Sequence, residues 1–390
     1  METDKKSDHR VNIVRLGEPR IHTNADTLEL FDIGGYQVVT KKGEFKAGDL
    51  AVYIQPDSVV PQNETFRFIW EQYATAANTV VPERRRRITC RRLRKEYSEG
   101  MIMKLSDFPE LPLTVAAPLG QPSIFDGGQD VSDLLGITHY EGDQDVESTE
   151  SDNGGQPKYR RPRTLKGWFF WALYKLGLKG ARQNMNIAMT FHVPSFDVEN
   201  IKNFKNELQS GEPVIVTEKI HGSQARYVYK DGVMYAGSRN CWKSANSPCV
   251  WRKALEQNPW IEEWCRLVEG GILYGEVVPT QKGYFYGCKP GEVRFFLFDV
   301  RDVTGEYLEK KRMLLDFKPS SVPILYEGVY DAEKIATLVD GMSAVEDGIT
   351  PREGIVITAT TPGRWARGIG RIQLKWKSNA FLEKEGNDES

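Results

Sequence analysis

A lysine and a glycine three residues apart follow an apolar run near the middle of the chain. The run covers residues 214–216, and the segment 217–223 that follows it contains Lys219 and Gly222. A lysine at the end of a buried strand can lose its proton and attack a phosphorus atom. Lys219 is therefore a candidate covalent nucleophile, with a strand-end surface lysine as the alternative.

An arginine and two single carboxylates follow downstream. Each is a candidate partner for Lys219 in a site that binds phosphate. Arg239 comes after an alternating strand pattern, and its planar guanidinium suits bidentate pairing with phosphate. Glu276 lies within the apolar run 272–278, and Glu353 enters another apolar run. A lone acid in a buried strand is costly unless it binds a metal, a sugar hydroxyl or a cation. A salt bridge to a lysine is the alternative for each acid.

Two aromatic residues and two lysines share faces of later strands. Phe296 and Phe298 have the same parity, so both are predicted to face one side of a strand, either packed in a core or stacked on a purine. Lys375 and Lys377 also share a face, where their charges repel unless an anion lies between them. An exposed amphipathic strand is the alternative for this lysine pair.

Length and composition favour two domains in a reducing compartment. The 390 residues exceed the usual size of one domain, and a hydrophobic content of 40% is enough for two cores. The net charge of -2 argues against a uniformly basic nucleic-acid binder. The cysteines form no Cys-x-x-Cys pair, which indicates neither a disulfide framework nor a zinc site and fits a cytoplasmic location. We expect no membrane span and no signal peptide.

The first quarter of the chain contains short strand patterns and a basic run. Strands and turns over residues 28–54 predict a small closed β-barrel. The segment 83–95 contains seven arginines and a lysine, enough to neutralise several phosphates, with a charged strand edge as the alternative. The predicted nucleic-acid contacts are Arg86, Arg87, Arg91, Arg92 and Arg94.

An acidic stretch separates the two halves. Residues 141–157 are rich in Asp, Glu, Ser and Gly and bury too little apolar surface to offset ordering. We therefore predict a first domain over residues 1–140, a linker over 141–163 that ends in a basic stretch, and a second domain over 164–390. A helix over residues 164–178 is expected at its start.

Both halves resemble known families. Residues 22–30, 48–54 and 94–101 resemble the OB-fold of the tRNA-binding type. Over residues 214–378, Lys-x-x-Gly, Ser-Arg, Gly-Glu, Phe-x-Phe-Asp, Glu-Gly-Ile-Val and Lys-x-Lys follow in the order of the covalent nucleotidyltransferases, which comprise polynucleotide ligases and mRNA capping enzymes. The Lys-Ile-His-Gly and Ser-Arg-Asn elements look like those of RNA ligases. DNA ligases and capping enzymes carry a second OB-fold after Lys-x-Lys, whereas the layout here resembles the family 5 RNA ligases.

The resemblance implies an α+β protein with an N-terminal OB-fold β-barrel and a C-terminal nucleotidyltransferase domain of antiparallel sheets with flanking helices. It implies an ATP-dependent RNA ligase in RNA repair that seals 3′-OH and 5′-phosphate ends. The intermediates would be lysyl-AMP on Lys219 and RNA-adenylate. Glu276 and Glu353 would serve Mg²⁺ or Mn²⁺. The implied nucleotide-binding residues are Glu218, His221, Arg239, Glu276, Phe296, Phe298, Glu353, Lys375 and Lys377.

The implied partner is broken or nicked RNA, and a monomer without membrane association is expected. Two other functions stay open at this point. One is a ligase for DNA nicks or for nicks in mixed strands. The other is a tRNA-binding accessory protein whose second domain has lost catalysis.

Overall fold

The computed structural model describes residues 10–74, 79–109, 111, 129–140, 186–187, 191–204, 206–345, 349–366 and 369–388. The predicted linker and the predicted helix over residues 164–178 lie outside this range, so the domain boundaries stay a prediction. We call the described residues up to 140 the N-terminal region and those from 186 the C-terminal region. No helix in these ranges is long and apolar enough to cross a membrane.

The N-terminal region consists mainly of short antiparallel strands and includes one short helix, α1 (Arg67–Trp70). The strands are β1 (Val11–Arg15), β2 (Arg20–Ile21), β3 (Leu28–Ile33), β4 (Tyr36–Lys41), β5 (Leu50–Ile54), β6 (Ser58–Val59), β7 (Cys90–Leu93), β8 (Glu96–Glu99), β9 (Met101–Lys104) and β10 (Thr138–His139). They pair in the orders β1-β5-β9, β2-β3-β4, β7-β8 and β10-β6.

The strand β5 is buried on both faces and organises this region. Val52 and Ile54 pack into one apolar cluster, whereas Ala51 and Tyr53 pack into another. Alternate side chains of a strand point to opposite faces, so two layers can pack on β5. The described strands therefore form open sheets around two clusters, and the prediction of one closed hydrogen-bonded barrel was too strong.

The C-terminal region contains two larger sheets. Its strands are β11 (Asn186–Ile187), β12 (Glu199–Asn200), β13 (Pro213–Lys219), β14 (Ser223–Lys230), β15 (Val233–Gly237), β16 (Trp242–Lys243), β17 (Ile272–Val278), β18 (Arg294–Arg301), β19 (Ile324–Val329), β20 (Gly354–Ala359), β21 (Trp365–Ala366), β22 (Gly370–Arg371) and β23 (Gln373–Lys377). One sheet has the order β11-β16-β15-β14-β17-β18, and the other has the order β12-β23-β20-β13-β19. Their strands pair antiparallel except for β12 and β23, which are parallel.

Helices cover these sheets, as the predicted α+β class requires. They are α2 (Val250–Gln257), α3 (Trp260–Leu267), α4 (Lys310–Asp316), α5 (Ala332–Ala336) and α6 (Asn379–Asp388). The helices α2, α3 and α4 pack through Leu255, Ile261 and Met313 into the core of the six-stranded sheet. Ile335 of α5 packs into the core of the five-stranded sheet. Each helix therefore buries an apolar face against a sheet.

Strand order brings distant parts of the sequence to one place. Lys219 is the last residue of β13, and residues 220–222 carry the chain from the five-stranded sheet to β14 of the six-stranded sheet. In the five-stranded sheet Lys219 is opposite Gly354, and Gly354 is opposite Lys377. The predicted nucleophile and one lysine of the Lys-x-Lys pair therefore flank the start of β20.

Candidate functional site

Strands of both large sheets line one cavity of about 270 Å³ together with the N-terminal region. Most of the predicted nucleotide-site residues lie there, although they are spread over about 160 residues of sequence. Those that line it are Glu218, Lys219, His221, Arg239, Glu276, Phe298, Glu353, Lys375 and Lys377. Phe296 is the predicted nucleotide-site residue that does not line this cavity.

Glu353 is the buried carboxylate at the centre of the basic groups. Lys219 Nζ lies 2.9 Å from each of its carboxylate oxygens, and Lys377 Nζ lies 3.9 Å from Oε1. Burial alone would raise the pKa of Glu353, but Lys219, His221 and Lys377 outweigh it and hold that pKa well below its usual range. Glu353 is therefore ionised and fixes the position of the Lys219 amine.

His221 supports this pair from the turn after β13. Its Nδ1 lies 3.5 Å from Glu353 Oε2, and its backbone N–H donates to Tyr286 Oη at 2.8 Å. The imidazole packs edge-on against Tyr284 and Phe381, with ring centroids 4.6 and 4.8 Å away. In this geometry His221 shapes the turn and faces the carboxylate that holds Lys219.

Two glycines permit the close approach of these strands. A Cβ on Gly222 would lie 2.4 Å from the carbonyl oxygen of Val277. Gly354 has a φ of 153°, and a Cβ there would lie 2.1 Å from the carbonyl oxygen of Trp376. Only glycine fits at such contacts. The glycine of Lys-x-x-Gly and that of Glu-Gly-Ile-Val therefore bring the charged side chains together.

Glu276 differs from Glu353 in its protonation. Desolvation raises the pKa of Glu276 to about 8, although Lys219, the Gly222 N–H and Arg239 act in the opposite direction. Glu353 adds to the rise through like-charge repulsion. Glu276 therefore keeps its proton at neutral pH. A divalent cation could replace that proton and bind the ionised carboxylate.

The donor set around Glu276 fits a hard divalent ion that also binds phosphate. Among the described side chains, no group of three or more His, Cys, Asp or Glu residues is arranged to hold a metal by itself. Magnesium and manganese sites in nucleotide enzymes commonly use one or two carboxylates and complete their shell with phosphate oxygens and water. Glu276 fits this use better than Glu353, because Lys219 already occupies both oxygens of Glu353.

Asp197 holds the second half of the basic cluster. Its Oδ2 accepts from Arg239 Nη2 at 2.6 Å, and its Oδ1 lies 3.8 Å from Lys375 Nζ. Burial lowers the pKa of Lys375, with Asp197 acting against the shift and the neighbouring lysines Lys377 and Lys219 adding to it. An anionic substrate group in the cavity would therefore meet several cations that are now balanced by carboxylates.

The two phenylalanines have different surroundings because β18 contains a bulge. Tyr274 is opposite Asp299 and Gly275 is opposite Leu297, which leaves Phe298 as the extra residue. Phe298 lines the cavity beside Phe196, with ring centroids 4.8 Å apart. Phe296 is only 2% exposed in the core of the six-stranded sheet. Phe298 is therefore the ring placed at the cavity, and the shared side of the two rings stays a prediction.

Glu218 borders the cavity, but its carboxylate serves a structural contact. Its Oε2 accepts from the Ala344 N–H at 2.7 Å, and its backbone N–H donates to Pro323 O. Neighbouring residues of a strand point to opposite faces, so the Glu218 side chain lies across the sheet from Lys219. The predicted role of Glu218 in nucleotide binding stays a prediction. In this geometry its backbone groups, and not its carboxylate, are available to a nucleotide in the cavity.

The predicted arginine run divides into two groups. Arg86 donates to the carbonyl oxygens of Val81 and Val60, and Arg87 is buried on Asp57 with Nε to Oδ1 at 2.9 Å. Both guanidinium groups are thus used within the protein, and only Arg87 of the run lines the cavity. Among the five predicted nucleic-acid contacts, the exposed ones are Arg91, Arg92 and Arg94. These three are the ones whose positions suit the predicted contact with nucleic acid.

Sequence reasoning missed several charged residues that line the cavity. Asp197 is one of these, and its signal was available, because it is a lone acid in the apolar segment 193–198, like Glu276 and Glu353 in theirs. Lys310 is buried beside Asp299, which also binds Arg371. Desolvation lowers the pKa of Lys310 to about 8. Asp57 reaches the cavity from the N-terminal region.

Comparisons with known proteins agree with this arrangement. Residues 212–377 match the family model of RNA ligase, and residues 11–105 match the model of an OB-fold domain. No curated protein sequence matches the chain.

Solved structures with a similar fold include several of Naegleria gruberi RNA ligase. Its complex with PPi has 24% identity and a TM-score of 0.66, covering 97% of this chain and 98% of that chain. Two mutants of that ligase, one with AMP and Mn and one with ATP and Mn, each have 25% identity and a TM-score of 0.66, covering 96% of this chain and 98% of that chain.

The fold and these matches define a two-domain polynucleotide ligase, in which an OB-fold domain precedes a ligase domain. By this match residues 212–377 form a domain of the RNA ligase family, enzymes that join RNA ends. The predicted family, the predicted OB-fold and the predicted enzyme class are thus confirmed. These matches favour an RNA ligase over the alternative of a tRNA-binding accessory protein without catalysis.

Proposed function

We propose that this RNA ligase uses ATP and that Lys219 carries AMP as a covalent intermediate. The observation that carries the proposal is the position of the Lys219 amine. It is ion-paired in a cavity, a quarter exposed, and near two further lysines that an anion would neutralise. The ATP, AMP and Mn complexes of the Naegleria gruberi enzyme support the same substrate and metal here.

In the first step Lys219 Nζ attacks the α-phosphorus of ATP. The nitrogen–phosphorus bond forms, the bond to the bridging oxygen breaks, and pyrophosphate leaves. The ammonium must first give up a proton, and it must exchange its ion pair with Glu353 for the phosphate. Lys375 and Lys377 would hold the α-phosphate, because both lie on one face of β23 and line the cavity. Their positive charges stabilise the charge that develops on the phosphate oxygens.

The adenosine would lie against the aromatic and acidic walls of the cavity. Phe298, with Phe196 beside it, offers a ring face on which adenine can stack. Glu276 and Glu353 are the carboxylates for the ribose hydroxyls and for Mg²⁺ or Mn²⁺. The metal, when bound, neutralises phosphate charge. His221 shapes the turn after β13, and Glu218 offers its backbone groups to the nucleotide.

In the later steps AMP passes to RNA. An oxygen of the RNA 5′-phosphate attacks the phosphorus of lysyl-AMP, which restores Lys219 and forms RNA-adenylate. The 3′-hydroxyl then attacks the 5′-phosphorus, forms the phosphodiester bond and releases AMP. Arg239 is the candidate for the incoming 5′-phosphate, since its guanidinium is partly exposed at the cavity, where it pairs with Asp197.

A second groove, on the N-terminal region, has the chemistry of an RNA-binding surface. Its basic lining residues are Lys41, Arg84, Arg85, Arg87, Arg91 and Lys104. Phe68 is 61% exposed beside them, and Arg85 lies over the ring of Tyr73. Cations along a groove with exposed aromatic rings bind single strands through phosphates and stacked bases. We assign RNA contact to the cations of this groove other than Arg87, which is bound to Asp57, and to the exposed Arg92 and Arg94.

The RNA is proposed to be broken or nicked, with the protein acting as a monomer. A reducing intracellular compartment is consistent with the cysteines, which are free thiols. Ligation of matched RNA and DNA nicks would define strand preference. Equal rates on both would replace the RNA-specific assignment with a nick ligase that accepts either strand.

Covalent labelling tests the first step. The protein is incubated with α-labelled ATP and Mg²⁺ and then denatured, and the label that stays on the protein is measured. We expect label on wild type and on Lys289→Met, an exposed lysine outside the cavity, and none on Lys219→Met. Label on Lys219→Met at the wild-type level would remove Lys219 as the nucleophile.

A further inference from the structure

Asp57 is held in an unusual backbone conformation in the turn between β5 and β6. Its φ is 69°, a left-handed value that costs free energy for a residue with a side chain. Such strain persists only where the surrounding structure imposes it, and it often marks a functional position. Asp adopts this conformation more readily than most residues, so its contacts, and not the turn alone, must show what its side chain does.

The rest of the N-terminal region fixes the Asp57 carboxylate. Arg87 donates to Oδ1 from Nε at 2.9 Å and also from Nη2, and its guanidinium lies 4.6 Å from the centre of the Tyr140 ring. The Tyr140 N–H donates to the Asp57 carbonyl oxygen at 2.7 Å. One carboxylate oxygen is thus bound within its own region.

The other oxygen faces the ligase domain. Asp57 Oδ2 lies 3.7 Å from Lys377 Nζ, and Glu353 Oε1 lies 3.9 Å from the same nitrogen. Lys377 is therefore placed between one carboxylate from each region. Both distances are longer than a hydrogen bond, so each carboxylate attracts Lys377 through its charge.

Separate contacts keep the two regions docked beside this point. Lys202 forms a buried ion pair with Glu99 and lies 5.0 Å from the centre of the Tyr36 ring. Tyr36 Oη donates to Asn203 Oδ1 at 3.0 Å. These contacts hold β4 and β8 against the segment after β12, so Asp57 meets Lys377 at a defined place.

We propose that Asp57 is a positioning residue for lysine adenylylation and acts through Lys377. It sets the direction from which the Lys377 ammonium meets the α-phosphate. The proposal rests on the proposed transfer of AMP to Lys219. It predicts that a substitution at Asp57, in the OB-fold domain, slows the adenylylation of Lys219 even when no RNA is present.

The test is the rate of RNA-free adenylylation, measured over a range of ATP concentrations. We expect Asp57→Asn to lower the rate at saturating ATP by about tenfold to a hundredfold, with less than about a threefold change in KM for ATP, because a misplaced group weakens the transition state more than substrate binding. Asp32→Asn is the matched control, since Asp32 is an exposed acid of the same region that pairs with Arg20. It should react at the wild-type rate.

The outcomes separate this proposal from the proposed function. Equal saturating rates for wild type and Asp57→Asn, or a change in KM alone, would overturn the role of Asp57 and leave Lys219 as the nucleophile. Absence of label on folded wild type would overturn the adenylylation itself. Thermal unfolding shows whether Asp57→Asn is folded. If it is not, the double variant Asp57→Asn with Arg87→Met removes both charges of this ion pair together, and the same rate loss is expected.

Discussion

Two groups of cations in this protein differ in how their charges are balanced. In the ligase domain, Lys219, Lys375 and Lys377 are each 20–25% exposed and face carboxylates across the cavity at 2.9–3.9 Å. In the OB-fold domain, Arg87 is 4% exposed and bound to Asp57, while its neighbour Arg91 in sequence is exposed. The lysines can exchange a carboxylate for a phosphate, but Arg87 cannot do so without withdrawing its hydrogen bonds from the Asp57 carboxylate.

This difference shows that a run of like residues is not one functional unit. Exposure and the number of fixed partners decide which cation can bind a substrate. Arg86 and Arg87 stabilise the OB-fold domain, whereas Arg91, Arg92 and Arg94 are exposed where RNA phosphates can reach them. The same distinction between substrate-binding and structural residues applies to the carboxylates and the phenylalanines near the cavity. Each pair can be tested by substitution.

The largest effect is expected for Arg87. Arg87→Gln should lower the free energy of unfolding by about 3–5 kcal/mol, because it leaves the Asp57 carboxylate without its main partner. Arg91→Gln should change stability by less than about 0.5 kcal/mol, yet lower the slope of RNA affinity against salt by about one. Urea unfolding and RNA titration at several salt concentrations measure the two effects. A stable Arg87→Gln variant with a reduced salt slope would reverse the assignment.

A smaller effect distinguishes the two cavity carboxylates. The pKa of Glu276 is about 8 in the folded protein and about 4.5 in the unfolded chain, so between these values the folded state holds a proton that the unfolded state has lost. Its contribution to stability is therefore fully present below about pH 4.5 and is lost as the pH rises through about 8. Glu276→Gln stays neutral and should remove this loss.

The measurement is urea unfolding of wild type and Glu276→Gln on both sides of that window. We expect the variant to gain on the order of 2 kcal/mol relative to wild type at the alkaline end, while losing adenylylation. Glu353 behaves in the opposite way, since its neighbours lower its pKa. A constant difference between wild type and Glu276→Gln across the window would contradict the raised pKa.

The smallest effect is expected for the two phenylalanines of β18. Phe298→Leu should raise KM for ATP about tenfold through lost stacking, with little change in stability. Phe296→Leu should lower the free energy of unfolding by about 1 kcal/mol and leave KM unchanged, because its ring packs in the core. Steady-state adenylylation and thermal unfolding of both variants give the comparison. An equal rise in KM for both would show that each ring meets the base.

Sequence patterns predicted the fold class, the OB-fold domain and the gathering of the motifs, because each motif ends or begins an apolar strand whose place in the sheet follows from the family. They did not predict the bulge that separates Phe298 from Phe296, since a single extra residue shifts parity without changing composition. Nor did they predict the partners of Arg87. Asp57 lies 30 residues away and depends on tertiary contacts that local spacing does not contain.

The most direct test of the central claim is to locate the AMP on the protein. Wild-type enzyme is adenylylated with ATP and Mg²⁺ in the absence of RNA, digested, and its peptides are mapped by mass spectrometry. We predict AMP on the peptide that contains Lys219, through a nitrogen–phosphorus bond that is lost in acid, and transfer of that AMP to nicked RNA added before digestion. AMP on any other residue, or on Lys219 but not transferable to RNA, would contradict the proposed mechanism.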